Sequence, residues 1–350
     1  MDTARPRRPT LDTVAGAVGV SRATVSNAYN RPDQLSAALR ERILVEAARL
    51  GYAGPDPVAR SLATRHSAAV GFLLGQRLTA AFSDPALSIV LDGLATTVDG
   101  HDHSLVLMAG SAGPRAETVA RAQADVVVAY SLPEDAPGLA AARARGLPLV
   151  VVDQPEAPGV AWVGVDDEGG ARLAAEHVRA LGHERVAVLT FALHPDGVTG
   201  LADRARLRSA APGVAGRRAR GYLEVLGEAP VWECEVSDRA LGRAGARELL
   251  RLPGRPTAIL CASDELAFGA LAAARDLGLR VPEDVSVVGF DDIPAAEQAE
   301  PPLTTVRQPL TEKGRRAGEL ALGLLDGERP GRPLRLPVSL IERASTARLT

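Results

Sequence analysis

TLDTVAGAVGVSRATVSNAYN, residues 10–30, decides how the rest of this 350-residue chain is read. Leu11, Val14, Ala15 and Val18 recur at helical spacing behind Thr10, whose hydroxyl suits an N-cap. Gly19 stops that helix, because a residue without Cβ enters left-handed backbone freely. Ser21 opens a second helix. Its Val25 and Ala28 turn back towards the first, and Arg22, Ala23, Ser26 and Asn27 face outward. Two short helices about a tight turn, the second exposing small and polar residues, are the build of a helix-turn-helix whose second helix lies in the major groove of DNA. Ser36 caps a third helix near 37–50, with Leu39, Ile43, Leu44, Ala47 and Leu50 inward and Gly51 as its stop. The plain alternative is a three-helix bundle with no DNA role.

Residues 55–63, PDPVARSLA, spell a short helix. Asp56 is its N-cap, and Pro57 takes the first helical position, where a missing N–H costs nothing. A helix of about two turns is marginal alone in water, so this one needs a partner. Leu62 is left pointing out of it; the alternative for Leu62 is a linker leucine docked on the next domain.

On TLDTVAGAVGVSRATVSNAYN, RERILVEAARLGY and DPVARSLA, residues 10–63 resemble the headpiece and hinge of the LacI/GalR (lac-repressor) family of transcriptional regulators. The resemblance implies that hinge helices of two subunits fold together in the minor groove, where a leucine from each opens a central base step. That leucine is Leu62, with Ala59 and Val58 packing the two helices together. Unstacking costs a few kcal/mol per step, offset by the wider contact a bent duplex permits. The family's base-reading positions fall on Arg22, Ala23 and Asn27. Arg22 suits a bidentate bond to guanine, Asn27 suits adenine or phosphate, and Ala23 reaches at most a thymine methyl. Ser21, Thr24, Ser26 and Asn30 suit phosphate contacts, which set register. Tyr29 and Tyr52 read as packing residues.

Charge agrees. The net charge of −3 hides a basic head: residues 1–66 hold ten arginines against six acidic residues, and the remainder nets −7. Attraction at one end and repulsion elsewhere suit an operator-binding protein. RPRR at residues 5–8 is a basic arm or an ordinary terminus. No apolar stretch approaches membrane-span length, and a cytoplasmic location is expected. Cys234 and Cys261 sit in apolar strand-like runs, as buried thiols do. Lys313 is the single lysine, which reads as codon bias.

Beyond residue 67 apolar runs alternate with helical stretches. Strands are expected at 69–74, 104–108, 125–129, 148–152, 185–190, 231–236, 257–261 and 285–289. Helices are expected at 85–98, 116–122, 136–145, 218–226, 240–250 and 264–277. The alternation predicts an α/β body of two parallel-sheet halves, changing over near residues 164–165. The strings VDQ (152–154), GVDDEGGARLAAEHVRALGHERVAVL (164–189), CASDELAFGAL (261–271), VSVVGFDD (285–292) and PPLTTVRQPL (301–310) resemble the same family's periplasmic-binding-protein-like core. The domains expected are a headpiece at 1–55, a hinge at 56–66 and a body at 67–350. Within the body, one subdomain spans about 67–164 plus 295–336 and the other about 165–294 plus 337–350.

Open parallel sheets bind ligands beyond the carboxyl ends of their strands. The resemblance places effector contacts at Asp153, Arg218, Ser263 or Asp264, and Asp291, with Tyr130 and Phe191 among the aromatic faces able to stack on a ring. Phe82 and Phe290 are further such faces, though Phe290 equally suits the core, and Asp264 and Asp292 equally suit caps. Gly75 stands where the family often carries a polar contact. The stretch 193–217 reads as long and irregular and holds Arg204, Arg206 and Arg208. No phosphate-binding glycine loop, zinc spacing or nucleophile–base pair is present, so neither cofactor nor metal is expected. His101-Asp102-His103 and His183 read as turn residues, and Asp166-Asp167-Glu168 as a helix start. The expected protein is a homodimeric, effector-controlled regulator, most simply a repressor, on a pseudo-palindromic double-stranded DNA operator. The rivals are a solute-binding protein and a sugar-metabolising α/β enzyme.

Overall fold

The computed structural model describes residues 9–349 apart from 55–65, 112, 155 and 211. The hinge reading, with Val58, Ala59 and Leu62, lies outside the described residues. The chain divides into two compact units, Met1–Ser67 and Ala68–Thr350.

The first unit is built from α1 (Leu11–Val18), α2 (Arg22–Asn30) and α3 (Ala37–Arg49). Thr10 and Thr13 close a capping box on α1, and Gly19 ends it at φ 75°. Ser21 accepts from Thr24 N at the start of α2, and Ser36 from Leu39 N at the start of α3. Val14, Ala15, Val25, Ala28, Ile43 and Ala47 form the core, with Tyr29 and Tyr52 edge to face beside it. These three helices need each other, because each buries only two side chains of its own.

The second unit is a mixed α/β body of two sheets. The first contains β1 (Ala69–Leu74), β2 (Ser104–Ala109), β3 (Val126–Tyr130), β4 (Leu149–Val152), β5 (Ala161–Val165) and β12 (Leu334–Leu336), in the order β12-β5-β4-β3-β1-β2. All its pairings are parallel. The second contains β6 (Val186–Phe191), β7 (Gly200–Leu201), β8 (Val231–Cys234), β9 (Ala258–Cys261), β10 (Ser286–Asp291), β11 (Thr304–Arg307) and β13 (Ser339–Ile341), in the order β13-β11-β10-β9-β6-β8-β7. Its central strands are parallel, and the edge strands β7 and β13 are antiparallel to their neighbours. The expectation of purely parallel sheets is corrected at these edges. Both edge strands are short, two residues in β7 and three in β13.

Two other expectations change, and a third is narrowed. Residues 193–217 are not irregular: they hold β7, the Arg204–Ser209 helix and the start of the Val214–Leu226 helix. The expected helix start at Arg218 therefore moves back to Val214. The return of the chain to the first lobe, expected near Ala295–Gln308, falls at the end of that range. β11 still pairs with β10, so the crossing falls between Arg307 and Leu310. The next crossing lies between β12 and β13, beside the expected Leu336.

The Leu310–Leu325 helix was not foreseen, and it positions the site. It crosses the Pro85–Asp99 helix at glycine contacts. A Cβ on Gly314 would lie 1.9 Å from Val90 O, and one on Gly93 would lie 2.2 Å from Thr311 O. Only glycine permits that approach, which presses the first turn of the Leu310–Leu325 helix against the first lobe.

Candidate DNA-reading surface and cleft of the body

In the first unit, Ser21, Arg22, Ala23 and Asn30 are exposed and Thr24, Ser26 and Asn27 are half-buried. The side chain of Arg22 is 68% exposed and lies 3.7 Å from Asp12, an ion pair loose enough to yield to another acceptor. Asn27 Nδ2 donates to Gln34 Oε1 at 3.3 Å, and Asn30 Nδ2 to Ser26 Oγ at 3.2 Å. Ser21 and Thr24 pair their hydroxyls at 2.8 Å. Arg22 is therefore the least committed donor on the leading turn of α2. Arg40 Nε donates to Ala28 O and ties α3 to the back of α2.

In the body, strand register aligns the carboxyl ends. Leu74 sits opposite Tyr130 and Tyr130 opposite Val152, which places Gly75, Ser131 and Asp153 together. Asp291 sits opposite Arg307 in the other sheet. Ser131, Asp153 and Asp291 all have positive φ, at 48°, 65° and 122°. Non-glycine residues in such backbone cost about 1–3 kcal/mol each and cluster at functional sites.

These ends carry a closed circuit of polar contacts. Lys313 Nζ donates to Asp153 Oδ1 at 2.8 Å and to Gln308 Oε1 at 2.5 Å. Gln308 Nε2 donates to Asp291 Oδ1 at 2.6 Å. Arg218 reaches Asp291 Oδ1 at 3.4 Å, Asp167 Oδ1 at 2.9 Å and Ala262 O at 2.6 Å. Arg217 joins Asp167 Oδ2 at 2.8 Å to the backbone oxygen of Asp153 at 3.2 Å. The circuit thus passes from the first lobe through the crossing at Gln308 to the second lobe and back. Asp153, Asp167, Arg218, Asp291, Gln308 and Lys313 are each no more than 6% exposed.

Burial pushes the Asp291 carboxyl up to about 6, although Arg218 pulls the other way. Burial also pushes Asp167 up, but Arg218 and Arg217 outweigh it and hold Asp167 below the usual carboxylate range. The guanidinium carbon of Arg218 lies over the Phe290 ring, 3.6 Å from its centroid, so Phe290, fully buried, is the floor under the arginine.

The circuit brings Asp153, Arg218 and Asp291 together. Tyr130 stands at the end of β3, half-buried and stacked on Phe72 with centroids 5.9 Å apart. Phe191 packs beside Leu193, Ala215 and Ala219. Ser263 caps the Asp264–Asp276 helix through Leu266 N and meets Ser237 Oγ at 2.7 Å. Asp264 is fully buried, and its carboxylate accepts from Ile293 N at 2.9 Å and Thr305 Oγ1 at 2.6 Å. Its oxygens tie β10 and β11 together. Phe82 is 78% exposed.

Sequence reading missed Lys313, Gln308, Asp167 and Arg217. The signal for Lys313 was its uniqueness. Read as codon bias, that uniqueness pointed to no role. The arginines of the 193–217 stretch divide. Arg206 is clamped by Asp196 at 2.8 Å and by the buried Glu233, whereas Arg204 pairs with the exposed Glu228. His183 lies in the turn after the Asp167–Ala180 helix and bonds Thr257 Oγ1 and Ala347 O, both at 3.0 Å. Cys234 and Cys261 are free and buried, and burial pushes the Cys234 thiol up to about 12. Among the described residues no helix is long and apolar enough to cross a membrane.

A helix-turn-helix unit carried on one chain with a two-lobed body of this topology defines a class: a DNA-binding transcriptional regulator. The pattern of bacterial regulatory proteins of the lacI family matches residues 10–54, and that of the periplasmic binding protein-like domain matches residues 175–346. An HTH-type transcriptional regulator of Mycolicibacterium smegmatis is 42% identical over 334 residues, 90% of each chain. The HTH-type transcriptional regulator IpsA of Corynebacterium glutamicum is 40% identical over 333 residues, 91% of this chain and 92% of the relative. The crystal structure of the lac repressor dimer bound to operator and the anti-inducer ONPF superposes with a TM-score of 0.78 at 27% identity, over 97% of this chain and all of that one. The chain belongs to the lacI family of transcriptional regulators.

Proposed function

We propose that the protein is a homodimeric repressor that binds a pseudo-palindromic operator and leaves it, or grips it, according to a small-molecule effector in the cleft of the body. The observation that carries this reading is the circuit from Asp153 through Lys313, Gln308, Asp291, Arg218 and Asp167. It joins two lobes at the carboxyl ends of their strands, where such sheets take ligands. A ligand inserted among these groups must exchange its own hydrogen bonds for theirs, which biases the angle between the lobes. The lac repressor structure, bound to operator and an anti-inducer, supports the same division of labour.

In this reading Arg22 and Asn27 contact base edges, Ser21, Thr24, Ser26 and Asn30 contact phosphates, and Ala59 and Leu62 act in the hinge. Asp153, Arg218 and Asp291 receive the effector, with Tyr130 and Phe191 as flanking apolar surface. Ser263 and Asp264 hold the lobe's frame, since their side chains are spent on Leu266, Ser237, Ile293 and Thr305. The headpiece spans 1–55, the hinge 56–66 and the body 67–350, and no catalytic step is assigned to the body. A regulator of bacterial transcription works in the cytoplasm, where the DNA is. The testing experiment is a thermal-shift screen of sugars and related metabolites on the full chain, followed by operator binding with each hit. Mass action requires a bound effector to raise the melting temperature. Hits that leave operator affinity unchanged count against the proposal.

A further inference from the structure

Lys313 is the only lysine of the chain, and it is 1% exposed in the middle of the cleft circuit. Its partners are a carboxylate, Asp153 Oδ1 at 2.8 Å, and an amide oxygen, Gln308 Oε1 at 2.5 Å. The other two cations of the circuit are spent as well. Arg218 lies on Asp167 and Asp291, and Arg217 on Asp167. Three cations thus stand against three carboxylates. Asp84, capping the Pro85–Asp99 helix, adds negative charge near Asp291. A ligand bearing a phosphate or carboxylate would have to displace a buried carboxylate from its cation, leaving that carboxylate unpaired. Breaking such a pair is far more costly than never forming it. A neutral molecule with hydroxyl groups can instead both donate to the carboxylates and accept from the cations without changing the balance.

We propose that Lys313 determines the effector's charge class: by engaging Asp153 it closes the cleft to anionic ligands and reserves it for neutral, polyhydroxylated ones. The inference deepens the effector reading and rests on it for where the ligand sits. Asp153 is then a neutralised wall of the cleft, and Lys313 acts through it as a specificity-determining residue.

The test uses inorganic phosphate as the probe and the full chain as the protein. Melting temperatures are measured against phosphate, with chloride at matched ionic strength as the control, for wild type, Asp153→Asn and the double variant Asp153→Asn/Lys313→Met. Asp153→Asn releases the ammonium, so phosphate should raise its midpoint saturably, by about 3 °C or more near saturation. Wild type and the double variant should show no saturable rise. Saturable phosphate binding by wild type, no gain in Asp153→Asn, or an equal gain in the double variant would overturn the proposal. If Asp153→Asn does not melt cooperatively, the double variant decides. Recovered cooperative melting supports mutual compensation of the two charges, and continued failure overturns it. The phosphate gain does not need the natural effector. A gain without any effector response removes the effector reading alone, and an effector response without the gain removes the role of Lys313 alone.

Discussion

Lys313 and Asp153, 160 positions apart in the chain, meet at 2.8 Å with almost no solvent at either side chain. Both belong to the first lobe. Gln308, at the crossing, carries the contact onward from the ammonium to Asp291 in the second lobe. The pair is thus the first-lobe anchor of a polar connection between two sheets. Its geometry depends on Gly93 and Gly314, which let the Leu310–Leu325 helix lie close enough to present a lysine there.

Gly314→Ala tests that dependence. The added methyl would start 1.9 Å from Val90 O, so the helices must separate. Overpacking of this kind costs about 1–3 kcal/mol. Urea denaturation should show a lower midpoint with an unchanged slope, and an unaltered midpoint would mean that the helix crossing is not tightly packed.

Arg218→Met removes the cation shared by Asp167 and Asp291 and leaves both carboxylates short of a partner. The expected loss is about 3–5 kcal/mol of stability. Arg218→Lys should recover only part of it, because an ammonium cannot span both carboxylates and Ala262 O as a planar fork does. Full recovery by lysine would contradict the assignment of a forked contact.

Asp291 gives the body a signature in mild acid. Its folded-state pKa, raised to about 6 by burial, lies above the unfolded carboxylate value near 4, so the folded state binds the proton more tightly. Its contribution to stability therefore grows as pH falls from 7 to 5, by roughly 1 kcal/mol, and is absent above pH 7. His177 and His183, whose pKa values burial lowers, act in the opposite sense over the same range. The comparison to make is wild type against Asp291→Asn at each pH. Wild type should gain on the variant as pH falls from 7 to 5, and a constant difference would show that Asp291 does not take up a proton there.

On the reading head, Arg22→Ala should weaken operator binding by about 1–3 kcal/mol and relax preference at one base pair per half-site. Asp12→Asn, which removes only an exposed pair at 3.7 Å, should leave the affinity within about twofold. Fluorescence anisotropy on operator and scrambled duplexes separates the two. Equal loss on both duplexes after Arg22→Ala would make Arg22 a phosphate contact.

The head was legible in sequence because its signals are local. Thr10, Gly19, Ser21 and Ser36 punctuate three helices whose apolar spacing shows within a few residues. The long strands of the body were legible for a similar reason, since runs such as AVGFLL are buried on both faces. What escaped depends on contacts far apart in the chain. β11 is four residues of mixed character whose place is set by pairing with β10. Arg206 looked like a free loop charge until Glu233 and Asp196 closed on it. Asp264 begins a helix, as its place after Ser263 suggested, but its carboxylate turns inward to Thr305 and Ile293, partners no local pattern names. Lys313 was the largest loss. Helical periodicity locates an apolar face, and it has no means of showing that a lone lysine on that face has an aspartate waiting for it.

Ligand in the cleft and operator on the head should be coupled. The direct measurement is operator affinity of the full chain with and without a saturating cleft ligand, paired with ligand affinity with and without saturating operator. Operator affinity should change by about 5–150-fold and, by linkage, ligand affinity by the same factor. A ligand that binds the cleft while leaving operator affinity unchanged would contradict the coupling.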